Sequence, residues 1–132
     1  MGKSCDIVKA LYEALGRGDV AAVLGALDSQ IEWTEADNFL YADGNPYVGP
    51  QAVAEGVFQR LASDIEDFAA LPHNFIEGHD AVVVEGRYRG KMKATGTPVD
   101  AQFAHVWNLR DGKVVRFQQY TDTKQWADAA AS

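Results

Sequence analysis

The chain holds a single cysteine, Cys5, so no disulfide framework forms within it. That suits a reducing compartment. Cys5 has no His or Asn beside it in sequence and reads as structural rather than nucleophilic. No run approaches the ~20 apolar residues of a membrane span. Asp6 and Lys9 interrupt the first apolar stretch, so the start does not resemble a signal peptide. The expectation is a soluble, cytoplasmic protein with no membrane partner. Positive charge is scarce: 12 Lys and Arg against 19 Asp and Glu leave a net charge of −7. Such a surface repels phosphate backbones and argues against nucleic-acid binding. The densest basic cluster, Arg87, Arg89, Lys91 and Lys93, alternates along one strand face and reads as a solvated sheet surface. No two of His73, His79 and His105 have metal-ligand spacing, and neither a phosphate loop nor a dinucleotide fingerprint is present. No metal and no cofactor are expected.

What the chain does have is apolar mass. Its 132 residues fit one domain over 1–132, and 47% of them are apolar, enough for a sizeable core. Three Trp, five Tyr and six Phe suit a dense core or an apolar pocket. Residues 4 to 16 have helical spacing, with Ser4 placed to cap them and Gly16 and Gly18 to end them. Asp19 caps a second helix carrying Val20, Val23, Leu24 and Leu27. Gln30 to Thr34 reads as a strand and 35 to 49 as an irregular loop. A third helix runs from about Pro50 to Ala62. Strand patterns follow at Asp67 to Glu77, Ala81 to Thr95, Val99 to Leu109 and Val114 to Thr121, ahead of a short Ala-rich tail. Helices first and a meander after them predict an α+β domain with helices on one side of a curved sheet.

The last hairpin is the most informative segment. A turn at Arg110-Asp111-Gly112 with Gly112 as a bulge residue pairs Leu109 with Lys113 and His105 with Phe117. One face then carries Phe103, His105, Trp107, Val115, Phe117, Gln119 and Thr121. It is the more apolar face and is assigned to the interior. A plain two-residue turn would shift the pairing by one and separate His105 from Phe117. His105 and Gln119 thus interrupt an apolar face, and buried polar groups need partners. Two readings stand: they satisfy each other and the backbone, or they point at a ligand.

Arg17-Gly18-Asp19-Val20, Pro46-Tyr47-Val48-Gly49, Asp111-Gly112-Lys113-Val114-Val115 and the closing Gln119-Tyr120-Thr121-Asp122-Thr123 occur in a characteristic order. Together they resemble the SnoaL-like branch of the nuclear transport factor 2 superfamily, which includes ketosteroid isomerase-like proteins. The resemblance implies a cone-shaped, curved antiparallel sheet wrapped by N-terminal helices around a central cavity, and a homodimer formed through the sheet. Members include isomerases, polyketide cyclases, epoxide hydrolases, dehydratases and non-catalytic binders, and fold membership does not select among them. His105 falls where the cyclases have their pocket histidine. Gln119 falls where they have an acid/base aspartate, and an amide cannot transfer that proton. Glu35 falls at the base position of the steroid isomerases, whose oxyanion donors would fall at Leu11 and Ala104. The Asp-Arg-Asp arrangement of the epoxide hydrolases is not evident.

The candidate chemistry follows from these positions. Glu32 and Glu35 flank Trp33, and a carboxylate beside an indole in an apolar pocket has a raised pKa. Glu32 reads as an ordinary rim residue; for Glu35 a rim role and a catalytic role stand side by side. Tyr41 and Tyr47 lie on the covering loop, placed either to donate to a ligand carbonyl or, for Tyr47, to pack under the third helix. Tyr88 shares a strand face with Val84 and Gly86, which leaves room for a ligand or for sheet bending. Asp122 reads as a structural cap. The expectation is a cofactor-independent enzyme acting by general acid–base chemistry on a small apolar carbonyl or polycyclic compound. His105 and Glu35 would form the proton-transfer pair, with Trp33, Tyr41, Tyr88, Phe103, Trp107, Phe117 and Gln119 around the substrate. The alternative is a non-catalytic module that binds a small apolar ligand or a partner.

Overall fold

The apolar spacing of Ile7, Val8, Leu11, Ala14 and Leu15 becomes α1, Lys3–Gly16, in the computed structural model, which describes residues 2–131. The stripe buries Val8, Leu11, Tyr12 and Ala14. Ser4 does not cap it, as it lies inside the helix. The Glu77 carboxylate instead accepts from Gly2 N–H at 2.9 Å and Cys5 N–H at 3.2 Å. A negative charge at the positive end of the helix replaces a local hydroxyl, and it arrives from a distant strand. Gly18 adopts the left-handed conformation beyond α1 (φ 73°). Asp19 caps α2, Val20–Gly25, by accepting from Ala22 N–H at 3.1 Å.

β1 spans Leu27–Thr34 and starts earlier than its apolar run suggested. The loop after it contains a 3-10 turn, Ala42–Gly44, and a two-residue strand β2, Tyr47–Val48. The expected third helix is present as α3, Pro50–Val53, a π-helical turn Ala54–Phe58 and α4, Gln59–Asp64. Tyr47 packs its ring under this helix, and a Cβ on Gly56 would meet that ring at 2.1 Å. Its hydroxyl donates to the Tyr41 carbonyl at 2.7 Å. The packing use of Tyr47 therefore holds.

Four long strands follow: β3 Ile65–Glu77, β4 Ala81–Met92, β5 Pro98–Arg110 and β6 Lys113–Thr121. The sheet order is β2-β1-β6-β5-β4-β3. Every neighbouring pair is antiparallel except β1 and β6, which run parallel. The sheet is curved and unclosed. α1 packs on β3 and β4, α3 on β1, and α4 on β3. Burial alternates along β4 and β5, so one face of each strand enters the core. Among the described residues no helix is long and apolar enough to cross a membrane.

The Ala-rich tail is a helix, α5, Thr123–Ala131. Asp122 caps it, accepting from Gln125 N–H at 3.3 Å. Trp126 is fully buried against Phe39 and Tyr88, with ring centroids 5.4 and 5.8 Å apart. With only Trp126 and Ala129 buried along it, the apolar stripe is too thin to announce itself in sequence.

The β5–β6 turn differs from the expected one. Arg110 faces Lys113 across a two-residue turn in which Asp111 (φ 52°) and Gly112 (φ 77°) are both left-handed. That conformation matches the right-handed twist of the flanking strands. The pairing then slips: Asn108 faces Arg116 while Leu109 faces Val114, a bulge at Val114-Val115. The bulge restores the face parity that the short turn alone would break. His105 consequently faces Gln119, not Phe117, and Trp107 faces Phe117. Val114 takes the interior place expected for Val115 and is fully buried.

Gly86 on β4 sits where a Cβ would come within 2.2 Å of the Leu71 carbonyl oxygen and 2.6 Å of the Phe103 ring. Gly86→Ala must displace β3 or Phe103. Overpacking of this kind is expected to cost about 1–3 kcal/mol, read as a lower urea midpoint. An unchanged midpoint would show that β3 yields freely there.

Candidate functional site

Four strands and a helix converge on one interior point. β5 and β6 turn His105 and Gln119 inward as direct cross-strand partners. β4 supplies Tyr88 by the same alternation. β1 buries Trp33 one residue before its end, and the chain then turns Glu35 inward. α1 brings in Tyr12 from its apolar stripe. Between them lies a cavity of about 40 Å³. That is room for roughly three water molecules. Its walls are mainly apolar and include Leu15, Phe39, Val57, Phe58, Leu61 and Phe68. Leu15, Phe58, Leu61 and Phe68 also line an outer groove of about 310 Å³. A ligand of more than a few heavy atoms enters only if these partition side chains yield.

Glu35 is 2% exposed. Its Oε2 accepts from Trp33 Nε1–H at 3.2 Å. Burial raises its pKa to about 7, and the Trp33 hydrogen bond and the more distant Arg60 charge oppose the rise without cancelling it. Glu32, three residues earlier, is exposed. The Glu35 backbone is clamped by Asn45: Glu35 N–H donates to Asn45 Oδ1 and Asn45 Nδ2 donates to the Glu35 carbonyl, both at 2.8 Å. The side-chain amide stands in for a strand partner where β1 has ended. Asn45→Ala removes both bonds and is expected to destabilise by about 1–3 kcal/mol, measurable by urea unfolding; a wild-type midpoint would show that water replaces the amide without loss. Arg60 reaches the same loop by a two-pronged pair with Asp43, at 2.8 and 3.0 Å, and lies over the Tyr41 ring.

His105 is 4% exposed. Its Nδ1 lies 2.5 Å from the Tyr12 hydroxyl and its Nε2 lies 2.5 Å from the Tyr88 hydroxyl. Trp107 Nε1–H donates to the Tyr12 oxygen at 2.9 Å. Gln119 Nε2 donates to the Tyr88 oxygen at 2.9 Å, while its Oε1 accepts from Ala36 N–H at 3.1 Å. Burial drives the His105 pKa down to about 3, so the ring is neutral across the physiological range. The same burial raises the pKa of Tyr12 and Tyr88.

Of the residues singled out from sequence, Trp33, Glu35, Tyr88, His105, Trp107, Phe117 and Gln119 lie on the cavity wall. Two do not. Phe103 stands behind it, stacked on the imidazole with centroids 4.0 Å apart. Tyr41 lies off the wall because Asp64 holds its hydroxyl at 2.9 Å. His105 is not free to exchange protons with a substrate, since both ring nitrogens are engaged within the protein. Tyr12 was missed. The available signal was its place on the buried stripe one turn after Val8, because a buried phenol needs a partner for its hydroxyl. Asp122 caps α5 and is remote from the cavity wall. Among the described residues no three His, Cys, Asp or Glu side chains converge as a metal site requires.

Residues 8–117 match the SnoaL-like domain family. Similar solved structures include an NTF2-like protein from Burkholderia thailandensis, 32% identical over all of this chain and 99% of that one, with a TM-score of 0.93. Another is an NTF2-like protein of unknown function from Burkholderia pseudomallei, 28% identical over the whole of both chains, TM-score 0.91. A third is TerC, co-crystallised with polyporic acid, 24% identical over 99% of this chain and 100% of that one, TM-score 0.88. At that identity TerC is a likeness of fold alone. No functionally curated protein matches the chain significantly.

Proposed function

The chain belongs to the SnoaL-like domain family, and from that premise we propose that it is a cofactor-independent enzyme that moves a proton within a small apolar carbonyl compound, with Glu35 as the proton carrier. The observation that carries this reading is a carboxyl group buried in a mainly apolar cavity with a pKa of about 7. A general base is most effective when its pKa lies near the operating pH. Glu35 takes a proton from the carbon beside the carbonyl. The C–H electron pair becomes the new C=C bond, and the carbonyl π pair moves to oxygen. The proton then returns to the same or a conjugated carbon, so the reaction needs neither oxidant nor reductant. His105 acts here as a positioning residue that holds Tyr12 and Tyr88, and Gln119 is likewise committed at both ends of its amide. The test is deuterium uptake from heavy water into small enolisable ketones, followed by NMR. Uptake no faster than the buffer background removes this class of substrate.

A second reading, binding without catalysis, draws on the imidazole tied at both nitrogens. Co-crystallisation of TerC with polyporic acid supports a ligand in this fold under either reading. A binder retains its ligand when Glu35 is changed to Gln and catalyses no deuterium uptake in either form.

A further inference from the structure

We infer that Tyr88 presents its hydroxyl proton to the cavity, so that the ligand is one with a hydrogen-bond-accepting oxygen, a carbonyl or phenolate, seated against Tyr88 beside Glu35. The inference rests on the cavity being the functional site and deepens that reading by naming what holds the substrate oxygen.

It follows from counting protons. Ala36 N–H is a backbone donor, so the Gln119 atom facing it is the oxygen and the amide nitrogen faces Tyr88. Trp107 Nε1 is also only a donor. Each tyrosine oxygen therefore already receives one hydrogen bond, and each hydroxyl still has one proton to place. His105 lies among the rings of Tyr12, Phe103, Trp107, Tyr88 and Phe117, and no carboxylate hydrogen-bonds to it. In its neutral form it has one N–H and one lone pair. Three protons thus compete for two hydrogen bonds: the two phenolic protons and the imidazole proton. The tyrosine that accepts from the imidazole keeps a proton with no acceptor among the described residues.

Burial decides which tyrosine that is. Tyr12 is off the cavity wall and packed by Phe75, Phe103 and Trp107. An orphaned hydroxyl proton there would be destabilising. Tyr88 is on the wall. Tyr12 accordingly donates to His105 Nδ1, and His105 Nε2–H donates to Tyr88, whose own proton turns toward the cavity. The Tyr88 oxygen receives two hydrogen bonds and gives one, the full capacity of a phenol. A hydroxyl that receives two bonds is polarised into a stronger donor. A donor fixed in a mainly apolar cavity is suited to the negative charge that grows on a carbonyl oxygen as its neighbouring carbon loses a proton. The chain Trp107–Tyr12–His105–Tyr88 thereby gives the buried imidazole a use although it carries no proton to substrate.

The test has two arms. In protein carrying ¹⁵N-histidine, the His105 ring shifts are expected to show a protonated Nε2 and a bare Nδ1. The reverse tautomer overturns the assignment whatever any ligand does. In the second arm 3,4-dinitrophenol, acidic enough to be mainly an anion at about pH 6, is titrated at that pH, where Glu35 is mostly protonated and does not repel it. Tyr88→Phe is expected to weaken its binding about ten- to a hundredfold, while Tyr120→Phe, which removes an exposed hydroxyl off the cavity wall, retains it. Equal affinity for wild type and Tyr88→Phe, or no binding by wild type, overturns the ligand class. Neither result touches Glu35, whose role stands or falls on deuterium uptake.

Discussion

Glu35→Gln is expected to lower proton exchange on the substrate by about 10²–10⁴-fold and, at the same time, to make the protein more stable above pH 7. The two effects share one cause. The carboxyl ionises near 4.5 in the unfolded chain and near 7 in the folded one. Between those values the folded chain holds a proton that the unfolded chain has released. The contribution of Glu35 to stability is therefore full below about 4.5, falls as pH rises through about 7, and stays at its lower level beyond. The difference is on the order of 3 kcal/mol. Gln keeps the shape and an oxygen for Trp33 Nε1–H but never ionises, so it escapes the loss. Urea unfolding at pH 5 and pH 8 should show the variant overtaking the wild type only at the higher pH. Wild-type exchange should rise with pH through about 7, as the carboxylate accumulates. A variant that still exchanges protons removes Glu35 from the mechanism. One that is inactive because it is unfolded at pH 8 contradicts the origin assigned to the raised pKa.

His105→Leu is expected to cost about 2–4 kcal/mol at pH 7 and to flatten the acid limb of the stability profile. The cost arises because Tyr12 and Tyr88 each lose a buried partner. The acid limb has the opposite sign to that of Glu35. The imidazole ionises near 6.5 when unfolded and near 3 when folded. Its contribution is present above about 6.5 and is lost as pH falls toward 3, in total on the order of 5 kcal/mol. Between about 4.5 and 6.5 the slopes from Glu35 and His105 oppose each other and cancel. Together they produce a plateau that falls away on the acid side through His105 and near neutrality through Glu35. Denaturant midpoints taken across this range in wild type and His105→Leu test the account. An acid limb of the same steepness in both proteins would show that other groups cause it.

Much of this was legible in the order of residues. The helices of the first half follow from apolar spacing, and Asp19 announced its cap because a cap acts within three residues. The inward face of β5 and β6 was legible too, since period-2 alternation survives an error in register. The partners were not. His105 was set against Phe117, yet it faces Gln119, because a two-residue turn and a bulge at Val114-Val115 offset each other in face but not in pairing. Ser4 looked like the cap of α1 until Glu77 took that role from across the fold. Tyr41 looked like a ligand contact until Asp64 claimed its hydroxyl. α5 was hidden because alanines carry almost no apolar stripe.

By itself the amino-acid order determined the α+β class, the helices before the sheet, and the presence of an imidazole, a carboxamide and a carboxylate among aromatic residues. These follow from local spacing and from the cost of exposing apolar side chains. Only the tertiary structure decided that Glu35 is enclosed and holds its proton to about pH 7, and that Tyr12 and Tyr88 occupy both nitrogens of His105. Ionisation and hydrogen-bond direction depend on what surrounds a group in space, and those surroundings come from segments up to 95 positions apart.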